Sequence, residues 1–310
     1  MISGLEIEDI LNNMDNDIES IPVVCIPSYN RFDSATTIDL VGKSDIRCKV
    51  FIYGDQYDKY KHYEDKYQNV KLVICKCSRG LRYKRNFILE YMTSNGYKDL
   101  FMLDDDIYNF NYSKWGKTKG GNDRVNSYKL EANKFFAAWA HINSLIREDL
   151  EEEGREFAQS GITFTSFAFS CDYRKGLYNR IGSLGNAVYI DLEVVNKYNL
   201  SYSEDKTWED QDFCLYSYEK GLFTPKIGIL SMNIGVSGDE KSVCVDNDIA
   251  KEYSYNLAKK WGRVVKVKYD KKGQIVCRLS VKLKKLVNEK KFKAEPSEEY
   301  NNELKQKFNI

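Results

Sequence analysis

Three consecutive carboxylates, Asp104, Asp105 and Asp106, follow a short apolar run that ends at Leu103. Carboxylates this close together repel one another unless something positive lies between them. One interpretation is a solvated turn or the start of a helix. The other is a site for Mg²⁺ or Mn²⁺, because these hard cations prefer oxygen ligands and bridge the phosphate oxygens of a nucleotide. A metal ion in this position would neutralise a leaving diphosphate.

A second acidic cluster occurs much later in the chain, where Trp208 is followed by Glu209, Asp210, Gln211 and Asp212. One interpretation is an acidic helix start, since acidic residues stabilise the positive end of the helix dipole. The other is catalysis, with one of these carboxylates as the general base that takes a proton from an attacking hydroxyl.

Basic residues stand at the predicted start of a helix ahead of the acidic triplet. Arg82 and Arg85 follow Gly80 in the segment Gly-Leu-Arg-Tyr-Lys-Arg-Asn. A helix N-terminus and two guanidinium groups can bind an anion together. Basic residues on a helix are more often solvated, so this segment alone is weak evidence for a site.

Four apolar runs predict the strands that would position these residues. Each run stops at a turn or at polar residues, and the runs cover residues 21–26, 49–53, 70–75 and 100–103. Polar stretches of helical length lie between them, so the pattern predicts a mostly parallel α/β sheet flanked by helices. Ligands bind such sheets beyond the carboxyl ends of the strands. The segment from Pro27 to Arg31, Asp55 and the acidic triplet should therefore converge on one crevice.

The later segments carry less specific patterns. Residues 108–128 are rich in Asn, Gly, Ser and Lys without a clear period, which predicts a mobile loop of the kind that closes over ligands. Residues 129–153 predict a long amphipathic helix. Residues 263–283 alternate basic and apolar residues across a turn at Lys272-Gly273, which predicts a hairpin with one cationic face.

Length and cysteine content limit the class of protein. A chain of 310 residues has room for one catalytic domain with a small extension. Eight cysteines are too few for a disulfide scaffold and form no paired C-x-x-C pattern, so a reducing cytoplasm is predicted. Residues 1–20 do not have the pattern of a signal peptide, and no run approaches the ~18 apolar residues of a membrane span.

The charge is unevenly distributed. Residues 259–293 contain 14 basic and two acidic residues, which leaves the rest of the chain at −11 within a net charge of +1. The pattern predicts an N-terminal extension over residues 1–20, a catalytic domain over 21–258 and a basic extension over 259–310. The basic module could bind nucleic acid phosphates, touch acidic lipid or simply be solvated.

The motifs together resemble the GT-A glycosyltransferases over residues 21–221. The matching features are the Pro-Ser-Tyr-Asn turn at 27–30, the segment 80–86, the D-x-D pair Asp104 and Asp106, and the pair Glu209 and Asp210. The resemblance implies an α/β, GT-A (Rossmann-like) fold with a small basic C-terminal hairpin and helix. It also implies transfer of a sugar from a nucleotide-sugar donor, a UDP-sugar, with Mn²⁺ or Mg²⁺.

Residue roles follow from the resemblance only where positions match. The resemblance implies donor binding by Pro27, Tyr29, Arg31, Asp55, Arg82, Arg85, Asp104 and Asp105. Asp106 would be the direct metal ligand, with Asp104 beside it. Asp210, with Glu209 next to it, would provide the base of an inverting displacement.

The chain departs from the GT-A pattern in one respect. Many GT-A enzymes add a C-terminal His ligand to the metal, but the only histidines here are His62 and His141, in other regions. Asn233, Asp239 or water would have to take its place.

A narrower resemblance is to the TET/JBP-associated glycosyltransferases. It depends on the segments 25–31, 79–86, 103–107 and 208–213. That family, found largely in bacteriophages and kinetoplastids, is expected to glycosylate hydroxymethylated pyrimidines in DNA. The resemblance therefore implies a DNA acceptor and a phage-type cytoplasmic enzyme. The lysines predicted to contact DNA are Lys266, Lys268, Lys282 and Lys284.

Three hypotheses are left by the sequence. The first is a DNA-modifying glycosyltransferase that uses UDP-glucose by default. The second is a family-2-like transferase acting on a polysaccharide, lipid-linked or protein acceptor. The third is a non-catalytic binding module, against which the retention of both acidic clusters counts.

Overall fold

Four parallel strands form the first half of the sheet, as their apolar sequences predicted. The computed structural model describes residues 7–14, 17–203, 208–235, 247–269 and 275–308. The strands are β1 (Val23–Pro27), β2 (Cys48–Ile52), β3 (Val70–Ile74) and β4 (Asp99–Leu103). They lie in the order β3-β2-β1-β4, and β1 is buried along its whole length, as is usual for a central parallel strand. The helices of this half are α1 (Ile7–Asn13), α2 (Thr36–Gly42), α3 (Tyr57–Lys66) and α4 (Leu81–Ser94).

The sheet continues beyond β4 with strands of mixed direction. The next elements are β5 (Ile107–Lys117), β6 (Asp123–Lys129), α5 (Ala132–Glu151), β7 (Gln159–Phe164), β8 (Tyr178–Asn179), β9 (Ala187–Asp191), α6 (Leu192–Tyr198), α7 (Glu209–Glu219) and β10 (Lys226–Ile234). The strand order is β4-β9-β7-β10-β5-β6, and β9 is antiparallel to both of its neighbours. The predicted α/β sheet flanked by helices is confirmed, with its parallel strands concentrated in the first half.

An aromatic core holds α5 against the sheet. Phe101 of β4 lies 4.6 Å from Trp139 between ring centroids, and Phe110 of β5 stacks on Phe135 at 4.3 Å. All four side chains are buried. The amphipathic helix predicted over residues 129–153 is confirmed as α5, and its packing fixes the strand that ends in the acidic triplet.

The mobile loop predicted over residues 108–128 is wrong. This segment forms the antiparallel hairpin of β5 and β6, and β5 also pairs with β10. The burial of β5 does not alternate strictly, since Phe110 and Asn111 are both buried, so the sequence shows no clear strand period. Tyr112 stacks on Tyr128 across the hairpin at 5.2 Å. The hairpin extends one edge of the sheet instead of closing over the crevice.

The C-terminal extension is a small hairpin enclosed by helices. The helix α8 (Asn247–Trp261) leads into it, and its elements are β11 (Val265–Tyr269), β12 (Ile275–Leu279), α9 (Val281–Asn288) and α10 (Glu298–Phe308). The predicted hairpin is confirmed by the pairing of β11 with β12, whereas its tip at Lys272-Gly273 lies outside the described residues. α8 runs without a break through the position between residues 258 and 259. Trp261, buried at its end, lies 5.0 Å from Tyr216 of α7.

Two sequence-based expectations concern the chain as a whole. All seven cysteines within the described residues are free, and six of them are buried. None of the described helices combines the length and the hydropathy that crossing a membrane would require.

Candidate active site

The acidic triplet lies at the carboxyl end of β4, and its two outer carboxylates are the more exposed. The side chains of Asp104 and Asp106 are 23% and 24% exposed, against 13% for Asp105. Thr37 fixes the backbone here, because its hydroxyl donates to the Asp104 carbonyl (2.6 Å) and accepts from the Ile107 N–H (2.8 Å). These two hydrogen bonds fix the backbone on both sides of the triplet, so Asp104 and Asp106 keep their more exposed positions.

Asp105 connects the end of β4 to the turn that follows β1. Its carboxylate accepts a hydrogen bond from the Ser28 hydroxyl and lies 3.2 Å from the Arg31 guanidinium. The same guanidinium is 3.9 Å from Asp106, so one cation offsets the repulsion between two of the three carboxylates. Burial raises the pKa of Asp105 to about 6. The turn beginning at Pro27 and the acidic triplet are thus brought together.

A buried arginine joins the two acidic clusters. Arg85, the fifth residue of α4, lies 3.0 Å from Asp104 and 3.1 Å from Glu209. Asp104 also accepts a hydrogen bond of 2.7 Å from Asn186, a residue that no sequence motif indicated. The Arg85 side chain is only 6% exposed. Arg85 therefore holds Asp104 and α7 in place, while Arg82 is half-buried and donates to the Tyr83 hydroxyl.

The three carboxylates at the start of α7 have three different environments. Glu209 is buried against Arg85. Asp212 is fully buried, accepts a hydrogen bond from the Trp261 indole N–H and lies 2.8 Å from Lys260, which fastens α7 to α8. Asp210 is left as the carboxylate of this cluster that lines a cavity.

Asp210 is held close to a glycine. A Cβ atom added to Gly185 would lie 2.9 Å from Asp210 Oδ2, so a larger residue at position 185 would press on the carboxylate. Asp210 Oδ1 accepts from the Gln211 N–H at 2.8 Å. Burial, with the neighbouring Glu209 charge, raises the pKa of Asp210 to about 7. A carboxylate with that pKa is suited to take up a proton near neutral pH.

The cavity next to Asp210 has a volume of about 560 Å³. It lies between the sheet and the C-terminal extension, because its lining comes from β7, the segment 181–186, α7 and β10 on one side and from β12 and α9 on the other. Cavities of this size usually hold small molecules or single groups of larger ones.

An exposed cluster lies at the outer ends of β1 and β2. Arg79 is 2.8 Å from Asp55 and donates a hydrogen bond of 3.1 Å to the Tyr29 hydroxyl. The Tyr29 ring packs edge to face with Tyr53, at 5.9 Å between centroids. The structure brings Tyr29 and Asp55 together through Arg79. Sequence reasoning did not single out Arg79, although it precedes Gly80 directly.

Lys84 was also missed. It is buried at the start of α4, donates to the Ser28 carbonyl and lies 4.2 Å from the centre of the Tyr53 ring. Burial lowers the pKa of Lys84 to about 8. The sequence offered no signal for this, because a lysine on a helical segment is usually solvated. Here it places a cation between the Tyr29 turn and the acidic triplet.

The carboxylates fit a hard divalent cation only in part. Among the described residues no group of three His, Cys, Asp or Glu side chains forms a metal site. Magnesium is commonly held by one or two carboxylates together with water and substrate phosphates, which is what Asp106 and Asp104 could offer. Asn233 lies in β10 two residues before Gly235, whose N–H donates to the Asp106 carbonyl, and Asp239 lies outside the described residues.

The four lysines predicted to contact DNA are all exposed but do not form one cluster. Lys266 and Lys268 lie on β11, and Lys266 faces Arg278 across the hairpin. Lys282 and Lys284 lie on α9, and of the four only Lys284 lines the cavity.

The sequence model of one protein family, the TET-associated glycosyltransferases, matches residues 22–226. That span runs from β1 to the start of β10 and contains the acidic triplet, α4 and α7. The chain belongs to this family. The match confirms the resemblance to glycosyltransferases that the motifs indicated. No curated protein matches the chain.

Solved structures similar to this TET-associated glycosyltransferase include S. aureus TarS 1–349 in complex with UDP-GlcNAc. It is 13% identical, with a TM-score of 0.45, over 76% of this chain and 65% of that one, so the chain spans just under two thirds of the TarS 1–349 fragment, and it spans 39% of the S. aureus TarS chain. Another is glucosyl-3-phosphoglycerate synthase from Mycobacterium tuberculosis in complex with Mg²⁺ and UDP, at 9% identity and a TM-score of 0.45 over 90% of this chain and 92% of that one.

Proposed function

We propose that this protein is a metal-dependent, inverting glycosyltransferase that moves a sugar from a UDP-sugar, by default UDP-glucose, to the hydroxyl of a hydroxymethylated pyrimidine in DNA. The observation that carries the proposal is the position of Asp210. Of the three carboxylates at the start of α7, it is the one that lines a cavity, while Glu209 and Asp212 are held in buried ion pairs.

In the proposed reaction Asp210 accepts the proton of the acceptor hydroxyl. The hydroxyl oxygen forms a bond to the sugar anomeric carbon, and the bond from that carbon to the donor diphosphate breaks. The electron pair of the broken bond leaves with UDP, and the proton remains on Asp210 until water removes it. The raised pKa of Asp210 suits this step, since a base works best with a pKa near the working pH.

The donor would lie across the ends of β1, β2 and β4. Tyr29 and Asp55, linked by Arg79, would line the nucleoside, with Pro27 and Arg31 in the adjoining turn. Arg82 at the start of α4 would approach the diphosphate, where the helix N-terminus favours negative charge. Arg85 and Asp105 would act indirectly by positioning Asp104 and Arg31.

A divalent cation, Mn²⁺ or Mg²⁺, would be held by Asp106, with Asp104 beside it. When bound, it would neutralise charge on the leaving diphosphate. Asp104 is oriented for this by Arg85 and Asn186, and the backbone of Asp106 is fixed by the Gly235 N–H.

The DNA acceptor is supported by membership of the TET-associated family and by the cations near the cavity. Lys284 lines the cavity, and Lys282, Lys266 and Lys268 are exposed on the same extension. Lysine contacts to phosphates provide much of the affinity for DNA. Such a reaction belongs in the cytoplasm of the host cell, where DNA and nucleotide sugars meet.

The test is mass spectrometry of DNA containing 5-hydroxymethylcytosine or 5-hydroxymethyluracil after incubation with a panel of nucleotide sugars. Each reaction is run with Mn²⁺, with Mg²⁺ and with a chelator, and Asp210→Asn is the catalytic control. We expect one hexose added per modified base, only with metal and only with the unmodified enzyme. Transfer to a saccharide, lipid-linked or protein acceptor, with DNA inert under the same conditions, would reject the DNA acceptor and leave the transferase proposal in place.

A further inference from the structure

The cavity beside Asp210 has two walls of different origin. One belongs to the part of the chain that the family model matches, and includes Phe164, Phe167 and Leu184. The other belongs to the C-terminal extension and includes Leu279 and Leu283. Each wall contributes a patch of apolar side chains beside its polar ones, and such patches give a flat ring a surface to pack against.

Three cations also line this cavity: Lys226, Arg278 and Lys284. None of them has a carboxylate within 4 Å in the described part of the chain. Two other cations nearby are neutralised, since Arg263 lies 2.6 Å from Glu303 and Lys260 lies 2.8 Å from Asp212. A cavity with apolar patches and unneutralised cations fits a ligand that combines a ring with flanking negative charges.

We infer that this cavity holds one pyrimidine base turned out of the DNA stack, with its flanking phosphates near Lys226, Arg278 and Lys284. The inference builds on the proposed function and adds the form in which the acceptor is bound. In a stacked duplex, the C5 substituent of a pyrimidine lies in the major groove, which is about 8.5 Å deep. Asp210 lines the cavity together with residues of both walls, and enzymes that act on a base in a duplex commonly turn it out of the stack into a pocket.

Phe167 provides a surface for such a base. It lines the cavity and is 54% exposed, which is unusual for a phenylalanine beside an apolar pocket. Its ring lies 6.4 Å from that of Phe164. Exposed aromatic rings are the common stacking platform for bases that have left a helix.

The first test is fluorescence of 2-aminopurine placed next to 5-hydroxymethylcytosine in a duplex oligonucleotide. Loss of the stacked neighbour should raise the fluorescence when the protein binds, without any donor present. In transfer assays, kcat/KM should be roughly tenfold or more higher for a duplex with a mismatch opposite the modified base than for the matched duplex, since a mismatched base is easier to extrude.

The variant for this test is Phe167→Ala, with Tyr128→Ala as its control. Tyr128 is also an exposed aromatic residue, at 45%, but does not line the cavity. We expect Phe167→Ala to remove most of the fluorescence rise and to increase KM for DNA about tenfold or more, because base stacking is lost. Donor hydrolysis without acceptor should be unchanged in both variants.

The outcomes separate the two proposals. Transfer to DNA with no fluorescence rise and equal kcat/KM for matched and mismatched duplexes would overturn base extrusion and leave the DNA acceptor standing. A complete absence of transfer to any hydroxymethylated DNA, single-stranded or duplex, would overturn both.

Discussion

Charged residues are arranged in opposite ways in the two ends of this molecule. Around the acidic triplet, the charges are buried and cross-linked, with Arg85 between Asp104 and Glu209. In the C-terminal extension, Lys268, Lys282 and Lys284 are exposed. Buried charges cannot be solvated, so they fix positions, and losing one partner is costly. Exposed charges cost little to change, but they attract polyanions from solution.

The largest effect is expected at the proposed metal ligand. Asp106→Asn should abolish nearly all transfer, because the amide is a poor ligand for Mn²⁺, while the fold is retained since this side chain is partly exposed. Calorimetry should show loss of Mn²⁺ affinity, and thermal unfolding should be close to that of the unmodified protein. Unchanged Mn²⁺ and UDP affinities would refute this assignment.

The proposed base should be nearly as sensitive. Asp210→Asn should lower kcat by about 10² to 10⁴-fold without changing donor affinity, as is typical when a general base is lost. Glu209→Gln is the matched control, and it should act mainly through stability because Glu209 pairs with Arg85. A near-normal rate for Asp210→Asn together with a stable but inactive Glu209→Gln would mean that the roles are reversed.

Variants of Arg85 and Arg79 allow a direct comparison of how much a buried and an exposed ion pair contribute to stability. Arg85→Ala should lower the free energy of unfolding by about 3–5 kcal/mol, since it leaves the buried Glu209 and the partly buried Asp104 without their shared cation. Arg79→Ala removes an exposed pair with Asp55 and should leave the stability almost unchanged, because solvent screens such pairs. Urea titrations of both variants measure the difference. Equal losses would show that burial does not separate the two regions.

The pH dependence should follow Asp210. Its pKa is raised to about 7, and only the deprotonated form can accept a proton. The rate of transfer should therefore rise about tenfold per pH unit below pH 7 and level off above it. A rate profile measured with saturating donor checks this, and a plateau that already begins near pH 5 would contradict it.

Substitution of the exposed lysines should produce the smallest effect, a gradual loss in the salt dependence of DNA affinity. Each lysine that contacts a phosphate adds roughly 0.9 to the slope of log affinity against log salt. Lys282→Gln with Lys284→Gln should therefore reduce the slope by up to about 1.8. The pair Lys266→Gln with Lys268→Gln should reduce it less, because neither residue lines the cavity. Filter binding to duplex DNA across a salt series separates the pairs, and equal reductions would argue against the cavity as the centre of contact.

Local sequence patterns predicted the first half of the fold well. Compact apolar runs identified β1 to β4, and the prediction that the segments after β1 and β4 lie close together is confirmed by the contacts of Asp105 with Ser28 and Arg31. The hairpin of β5 and β6 was missed because its residues are mostly polar and show no clear period, and because the first part of β5 pairs with β10, which lies much later in the chain. Residues 21–26 carry an apolar signal of their own, whereas residues 107–112 are held in the sheet by a distant strand.

The parts of the candidate site that belong to sequence motifs could be predicted, whereas the residues that reach it only through tertiary packing could not. The two acidic clusters were recognisable by residue type and order. Asn186 and Lys84 were not, since neither belongs to a motif and their contacts arise from tertiary structure. The cavity could not be predicted either, because its second wall comes from the C-terminal extension. No local sequence pattern indicates where that extension packs relative to the sheet.

The contact of Asp212 with Lys260 and Trp261 has a consequence for protein engineering. It fastens the helix that carries Asp210 to the helix that leads into the extension, and the family model ends at residue 226, before that extension begins. If the proposed acceptor cavity is right, a chimaera that exchanges extensions between relatives should change acceptor use and leave donor use unchanged. The exchange should be made C-terminal to Trp261, so that Asp212 keeps both of its partners and α7 keeps its place.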